Sequence, residues 1–195
     1  MIDYAIPVIA YLFGSLSSAV IVSRLMGLPD PRDGGSKNPG ATNVLRLGSK
    51  VGAGLTLLGD VVKGIIPVII GIKLGVSDTA LAFTGFLAFL GHLFPVFFGF
   101  SGGKGVATAL GVFLGMSLHI SAVIGLVWLA TAIISRYSSL SALTAAVAAP
   151  FVTFWLAGNI QLTIMCAAIA ACLIWRHKGN IQRLRDGSEP KIGKQ

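Results

Sequence analysis

The stretch that decides the fold is residues 105–135, GVATALGVFLGMSLHISAVIGLVWLATAIIS, which has no formally charged side chain over 31 positions. A membrane-spanning helix needs about 20 apolar residues. The stretch is therefore too long for one upright helix and too short for two full ones. Small and polar residues gather near its middle, between Gly115 and Ser121. We predict a break into two short helices, 105–118 and 120–135.

The composition of the whole chain is that of an integral membrane protein. Of its 195 residues, 54% are hydrophobic and 11% are charged, and the mean hydropathy is +0.84. A soluble domain carries about 25% charged residues, so this chain could not cover a surface that faces water. We predict an all-α integral membrane protein, a single polytopic domain of seven transmembrane helices with a polar tail. The other predicted spans are 4–22, 51–72, 79–100, 140–156 and 160–175, and the tail is 176–195.

The distribution of charge favours seven spans. With seven, 13 of the 15 Lys and Arg residues fall on one face of the membrane, together with the tail. A single span over 105–135 would instead place Lys104 and Arg136 on opposite faces. Because cationic loops stay in the cytoplasm, we predict an N-terminus outside and a cytoplasmic C-terminus. In such a chain, the net charge of +8 favours anionic lipid headgroups or phosphorylated substrates over nucleic acid.

A glycine-rich loop follows the first span, and we call residues 34–43, GGSKNPGATN, glycine loop 1. Glycine lets a backbone approach a ligand closely, and consecutive N–H groups can bind an anion. If Thr42 or Asn43 caps the following helix, the N-terminus of that helix adds its dipole and free N–H groups to the anion site. The pattern indicates a phosphate site, although an ordinary turn between two spans has the same composition.

A second loop, GGKG at residues 102–105, is called glycine loop 2. It resembles a Walker A loop but is one residue short, and Gly105 stands where a Ser or Thr would hold Mg²⁺. A phosphate site without a nucleotide remains open, and so does a purely topological role for Lys104. Two further polar clusters, residues 136–141 and 176–180, are predicted on the same face, where surface anchoring is the alternative.

Some polar residues lie inside predicted spans. Asp60 and Lys63 are spaced for an ion pair within one helix, and charges inside a membrane often mark function. Structural pairing and a transport role both fit them, and His92 fits helix packing. We expect Pro95 to kink its helix. Small residues four apart predict close helix packing, at Gly48/Gly52, Gly71/Gly75 and Gly111/Gly115.

Several reaction classes lack their motifs. The three histidines show no metal-binding spacing, and the two cysteines lie six residues apart in one apolar run. A His-x-x-x-x-Asp dyad is absent from the sequence. We expect no metal and no cofactor.

Four segments together resemble the PlsY family of bacterial membrane acyltransferases. They cover essentially the whole chain in the family's order: GSKNPGATNVLR (35–46), GHLFPVFFGFSGGKGVAT (91–108), RYSSLSAL (136–143) and RHKGNIQRLRDGSEPK (176–191). The resemblance implies transfer of an acyl chain from acyl-phosphate to the 1-hydroxyl of sn-glycerol 3-phosphate. The products would be lysophosphatidic acid and inorganic phosphate, at an early step of phospholipid synthesis. Neither acyl-CoA nor acyl-carrier protein would be needed as a donor.

The resemblance also implies roles for individual residues. Acyl-phosphate is expected to bind at Gly35, Ser36, Asn38, Gly40, Ala41, Thr42 and Asn43. Glycerol 3-phosphate is expected to bind at Arg46, Lys104, Ser141, His177 and Asn180. The expected catalytic residues are Ser36, Arg46, Lys104, His177 and Asn180, with Gly102 and Gly103 as further candidates.

The resemblance places the protein in the bacterial inner or plasma membrane, with its active site on the cytoplasmic face. Besides its two substrates it would contact membrane lipid, and the sequence indicates no obligatory protein partner and no nucleic acid. The alternative function is a small membrane transporter or channel for a phosphorylated compound.

Overall fold

The fold is described from a computed structural model that covers residues 1–193, while Lys194 and Gln195 of the predicted tail lie outside the described residues. The described residues form helices and no strands. They divide into two compact units, Met1–Met116 and a second unit that begins at Ser117.

Unit 1 is a set of helices arranged around one long helix. Its elements are α1 (Ile2–Gly14), α2 (Ser18–Leu25), α3 (Ala41–Arg46), α4 (Lys50–Lys73), α5 (Asp78–Leu93), a 3-10 turn (Val96–Phe98) and α6 (Val106–Met116). The long helix α4 packs against α2, α3, α5 and α6, and α1 packs mainly against α5.

Glycines let these helices approach backbone to backbone. A Cβ on Gly14 of α1 would overlap the carbonyl of Ala88 in α5, and one on Gly64 of α4 would overlap the carbonyl of Thr108 in α6. Without side chains at these positions the helix axes can come close, as is common inside membranes. This packing holds α5 and α6, which flank glycine loop 2, in fixed positions.

Unit 2 contains three long apolar helices and one short polar helix. They are α7 (Leu118–Ser135), α8 (Ser138–Ala157), α9 (Ile160–Arg176) and α10 (Lys178–Arg185). α8 packs between α7 and α9, and α10 lies against α8 and α9. Ser117 caps α7 by accepting from the N–H of Ile120, and Asn159 caps α9 by accepting from that of Leu162.

The observed helices test the predicted number of membrane spans only in part. Four of the described helical segments are long and apolar enough to cross a membrane, one of them being α5 together with the 3-10 turn (Asp78–Phe98), and the number rises to six if each of two bent pairs counts as one span. The bends are 42° between α1 and α2 and 60° between α9 and α10. The stretch 105–135 is interrupted at Ser117, but α6 has only 11 residues, or about 16 Å at 1.5 Å per residue. Seven spans and the orientation of the termini stay predictions.

The structure corrects the description of two segments. The segment predicted as a loop after the first span contains the short helix α3. Pro95 does not kink α5: the helix ends at Leu93, and Pro95 instead precedes a 3-10 turn. This end has a simple cause, since the residue before a proline, here Phe94, is disfavoured in helical geometry.

Candidate active site

Asn43 organises glycine loop 1. Its side chain is buried and makes three hydrogen bonds within the loop. The amide nitrogen donates to the carbonyls of Pro31 at 2.7 Å and Gly34 at 3.0 Å, and the amide oxygen accepts from the N–H of Ser36 at 2.9 Å. Asn43 therefore ties both ends of the turn together, while Ser36 is exposed.

Neither Thr42 nor Asn43 caps the helix that follows glycine loop 1. The N-cap of α3 is Gly40, and Thr42 and Asn43 lie inside the helix. Asn43 cannot cap because its amide already serves the preceding turn. The other expected donor-binding residues, Gly35, Asn38 and Ala41, line the same turn, with Lys37 at a positive φ of 54°.

An ion pair fixes the start of the same loop. Arg32 binds Asp30 through Nε at 3.0 Å and Nη2 at 2.7 Å, and its Nη1 lies 3.5 Å from the carbonyl oxygen of Phe98. The hydrogen bond from Arg32 holds the pKa of the Asp30 carboxyl below its ordinary value. Arg32 thus connects the segment before glycine loop 1 to the segment before glycine loop 2.

The two glycine loops meet within unit 1. A Cβ on Gly103 would lie 3.1 Å from the carbonyl oxygen of Pro39 and would overlap Nε2 of His92. A Cβ on Gly102 would overlap the carbonyl oxygens of His92 and Leu93. The sequence analysis named Gly102 and Gly103 as further candidate site residues, and there is a steric reason for glycine at both positions. No side chain fits between this loop, the end of α5 and glycine loop 1.

The expected cations of unit 1 flank these loops. Lys104 directly follows Gly103 and is half-buried, and Arg46 is the exposed last residue of α3. Lys104 therefore lies in glycine loop 2, and Arg46 ends the helix that follows glycine loop 1. The contact between Gly103 and Pro39 holds the two loops together.

A buried charge cluster lies behind glycine loop 2. The carboxylate of Asp60 is 2.9 Å from Nζ of Lys63 and 3.4 Å from Nδ1 of His92, and all three side chains are buried. Nζ of Lys63 also donates to the carbonyl of Leu16 at 2.8 Å, in the bend between α1 and α2. The predicted Asp60–Lys63 pair exists, and the sequence analysis missed its contact with His92.

Glu189 is the centre of the polar network in unit 2. Its buried carboxylate accepts hydrogen bonds from Oγ of Ser139 and Nδ2 of Asn180, both at 2.6 Å, and from Nε of Arg183 at 2.7 Å. Burial alone would raise the pKa of Glu189, but these three hydrogen bonds and the Arg183 charge hold it below its ordinary value. The carboxylate joins α8, α10 and the segment after α10.

The sequence analysis did not select Glu189 or Ser139. Glu189 lies nine residues after Asn180, beyond the end of α10, so no helical spacing connects the two. The available signal was its position inside the quoted segment RHKGNIQRLRDGSEPK, which has only one other acidic residue.

The remaining expected residues of unit 2 are also buried and hydrogen-bonded. Nδ1 of His177 lies 2.8 Å from the carbonyl oxygen of Leu173, so the proton of this pair is on Nδ1. Oγ of Ser141 donates to the carbonyl of Tyr137 at 2.8 Å. His177 stands at the bend where α9 ends and α10 begins. Within residues 1–193, no three His, Cys, Asp or Glu side chains are grouped to hold a metal ion.

Comparison with known proteins gives one consistent family. The family model described as glycerol-3-phosphate acyltransferase matches residues 4–187. A glycerol-3-phosphate acyltransferase of Methylococcus capsulatus is 55% identical over 193 residues, covering 98% of this chain and 97% of the relative. That of Thioalkalivibrio sulfidiphilus is 54% identical over 184 residues, covering 94% and 91%.

Two crystal structures of PlsY, an integral membrane glycerol 3-phosphate acyltransferase, share the fold. The glycerol 3-phosphate form has a TM-score of 0.93 and 40% identity, and the lysophosphatidic acid form has 0.90 and 39%. Each comparison covers 99% of this chain and 96% of the other. The apolar helices and these neighbours define a multi-pass integral membrane protein. This chain belongs to the PlsY family of glycerol-3-phosphate acyltransferases.

Proposed function

We propose that this protein transfers an acyl chain from acyl-phosphate to the 1-hydroxyl of sn-glycerol 3-phosphate. The products are lysophosphatidic acid and inorganic phosphate. The observation that carries the proposal is the meeting of the two glycine loops at Pro39 and Gly103. Backbone without side chains and a neighbouring cation suit a phosphate group, and the related PlsY has a glycerol 3-phosphate form.

Glycine loop 1 is proposed to bind the phosphate of the donor. The N–H of Ser36 is already bonded to Asn43, so Ser36 contributes its exposed hydroxyl. Asn38 and Thr42 add side-chain donors. The side chain of Asn43 and the backbone of Gly35, Gly40 and Ala41 set the shape of the turn. An acyl chain attached to this phosphate remains in the lipid.

Cations and buried polar groups are proposed to bind glycerol 3-phosphate. In unit 1 these are Arg46 and Lys104, whose charges complement a dianion. In unit 2 they are Ser141, His177 and Asn180. The carbonyl of Leu173 and the carboxylate of Glu189 hold His177 and Asn180 in place, so little side-chain freedom is lost on binding.

The reaction needs one bond made and one bond broken. The 1-hydroxyl oxygen of glycerol 3-phosphate forms an ester bond to the acyl carbon, and the bond from that carbon to the phosphate oxygen breaks. The hydroxyl proton passes to a phosphate oxygen of a substrate. Hydrogen-bond donors near the carbonyl stabilise the oxyanion, and losing one donor of this kind costs about 3 kcal/mol. Because phosphate is a good leaving group, no covalent enzyme intermediate is required.

We also propose seven spans, a cytoplasmic C-terminus and an active site on the cytoplasmic face of the inner membrane. The uneven distribution of Lys and Arg residues supports this orientation. Single cysteines at exposed Ser36 and at exposed Asp78, in a background without Cys166 and Cys172, test it. A membrane-impermeant thiol reagent on intact cells should label position 78 and not position 36.

The activity is tested with purified protein in detergent. Given acyl-phosphate and labelled glycerol 3-phosphate, it should form labelled lysophosphatidic acid. Acyl-CoA in place of acyl-phosphate should give none. The same protein in sealed vesicles discriminates the alternative function. Uptake of labelled glycerol 3-phosphate without any acylation would support a transporter and contradict the proposal.

A further inference from the structure

The buried charges of unit 1 have no part in the reaction as proposed above. Asp60, Lys63 and His92 are 3%, 3% and 6% exposed, and they lie in apolar helices. Charged groups at such depth are costly and usually have a function. The position of the cluster, directly behind glycine loop 2, indicates what that function is.

The imidazole of His92 stands between the carboxylate and the loop. Its Nδ1 is 3.4 Å from Asp60, and its Nε2 is the atom that a Cβ on Gly103 would overlap. The two nitrogens of the ring lie on different edges, so one edge contacts Asp60 and the other contacts the loop. Because the ring contacts both groups, the position of the Asp60 carboxylate on α4 influences the position of the backbone beside Lys104.

The main chain of His92 contacts the same loop. The N–H of Gly103 donates to the carbonyl of His92 at 3.2 Å, and Gly102 lies against the carbonyls of His92 and Leu93. Glycine loop 2 thus packs directly against the last turn of α5. A rotation of this turn would move Gly103 and, with it, Lys104.

Lys63 anchors the other end of the cluster. It balances the charge of Asp60 at 2.9 Å and donates to the carbonyl of Leu16. A buried carboxylate that is paired and also bonded to a fixed helix is itself fixed in place. The chain of contacts runs from the bend between α1 and α2, through α4 and α5, to glycine loop 2.

We propose that Asp60 and His92 are positioning residues that set glycine loop 2, and thereby Lys104, for glycerol 3-phosphate. This inference rests on the proposed function, which assigns Lys104 to that substrate. Neither residue is assigned a contact with substrate. Their removal should therefore weaken the binding of glycerol 3-phosphate while the affinity for acyl-phosphate is retained.

The kinetic test compares His92→Ala and Asp60→Ala with the wild type. We expect the KM for glycerol 3-phosphate to rise about tenfold, since small displacements of a binding group have effects of this size. The KM for acyl-phosphate should change less than about threefold. Asp60→Ala leaves Lys63 unpaired, so Asp60→Ala/Lys63→Met, which removes both charges, should give the same change in a more stable protein.

Two substitutions at His92 separate its contacts. Gln reaches the position of Nε2 and fills the space beside Gly103, whereas Asn reaches only that of Nδ1. We expect His92→Gln, which keeps only the contact beside Gly103, to have a KM for glycerol 3-phosphate similar to that of Asp60→Ala, and His92→Asn to behave like His92→Ala. Wild-type affinity in either variant would overturn the proposal, because one of the two contacts alone would then be sufficient.

A matched control and a second measurement complete the test. Thr84 is buried in α5, the helix that also contains His92, and its hydroxyl donates to the carbonyl of Ala80 in that helix. Thr84→Val should therefore leave the KM values for glycerol 3-phosphate and acyl-phosphate unchanged. Hydrogen exchange of the amides of residues 101–105 should be faster in Asp60→Ala and His92→Ala than in the wild type and Thr84→Val. Unchanged exchange overturns the positioning role. If the wild type transfers no acyl group, the proposed function fails, but the exchange data still decide the positioning contact.

Discussion

The side-chain amide of Asn180 donates to Oε1 of Glu189 at 2.6 Å, and the same oxygen accepts from Ser139 at 2.6 Å. One carboxylate therefore holds a proposed substrate-binding residue on α10 against the start of α8. Its second oxygen accepts from Arg183 at 2.7 Å. The orientation of Asn180 depends on a residue that has no proposed contact with substrate.

The first prediction concerns Glu189→Gln. Its amide nitrogen cannot accept the bonds that the lost oxygen received, so donors of Ser139, Asn180 or Arg183 are left without a partner. Each such loss costs about 1–3 kcal/mol. We expect turnover to fall about tenfold or more, with a lower Tm, measured by the acyltransfer assay and thermal unfolding. Asp186→Asn is the control, since the exposed carboxylate of Asp186 accepts from the exposed side chain of Gln182. Equal activities of Glu189→Gln and the wild type would contradict the role.

The second prediction is a pH dependence. The pKa of Glu189 is below its ordinary value in the folded protein. A carboxyl with a lowered pKa stabilises the fold at pH above the unfolded value, about 4.3, and this contribution is lost as the pH falls through the folded value. The Tm difference between the wild type and Glu189→Gln should therefore be constant near neutrality and shrink in acid, below that pH. A difference that grew in acid would be incompatible with this assignment.

The third prediction concerns Asn43→Asp. The carboxylate keeps an acceptor for the N–H of Ser36 but cannot donate to the carbonyls of Pro31 and Gly34. Glycine loop 1 should lose its shape, and the KM for acyl-phosphate should rise about tenfold. Leu45→Ala, at an exposed position of the same helix α3, is the control and should leave kinetics unchanged. A normal KM in Asn43→Asp would show that the loop does not depend on these bonds.

The helical segments and most polar clusters could be predicted from the sequence, because apolar length and charge are local properties. The glycine pairs show the limit of such reasoning. Gly111 and Gly115 do pack closely against α4, but Gly48 and Gly75 are turn residues at φ values of 99° and 65° with no other atom near. The same spacing of small residues is thus produced by packing and by turns.

The contacts that build the site were less accessible to sequence analysis. His92 meets Asp60 across 32 positions of the chain and Ser139 meets Glu189 across 50, and no periodicity links residues so far apart. Asn43 was expected to bind an anion, whereas its amide is largely used by its own loop. Which polar group holds the site and which can bind substrate depends on tertiary contacts.

The fourth prediction tests the close approach of α4 and α6. A Cβ on Gly64 would overlap the carbonyl of Thr108 and lie 2.8 Å from the N of Val112, so Gly64→Ala should lower the Tm. Gly54 lies in the same helix with no atom near its Cβ position. Gly54→Ala should be neutral or stabilising by about 0.5 kcal/mol, because alanine restricts the unfolded chain. Equal effects of the two substitutions in thermal unfolding would contradict the packing.

The fifth prediction is a coupling between Gly103 and His92. The Cβ of Gly103→Ala would overlap the imidazole edge at Nε2 and press on the carbonyl of Pro39 at 3.1 Å. We expect this substitution alone to raise the KM for glycerol 3-phosphate about tenfold. In a His92→Ala background the overlap with the ring is absent, so Gly103→Ala should add little to the effect of His92→Ala. Residues in contact typically show such non-additivity, whereas independent sites add. Strictly additive effects in this double-mutant cycle would mean that the ring and the loop do not touch in the working protein.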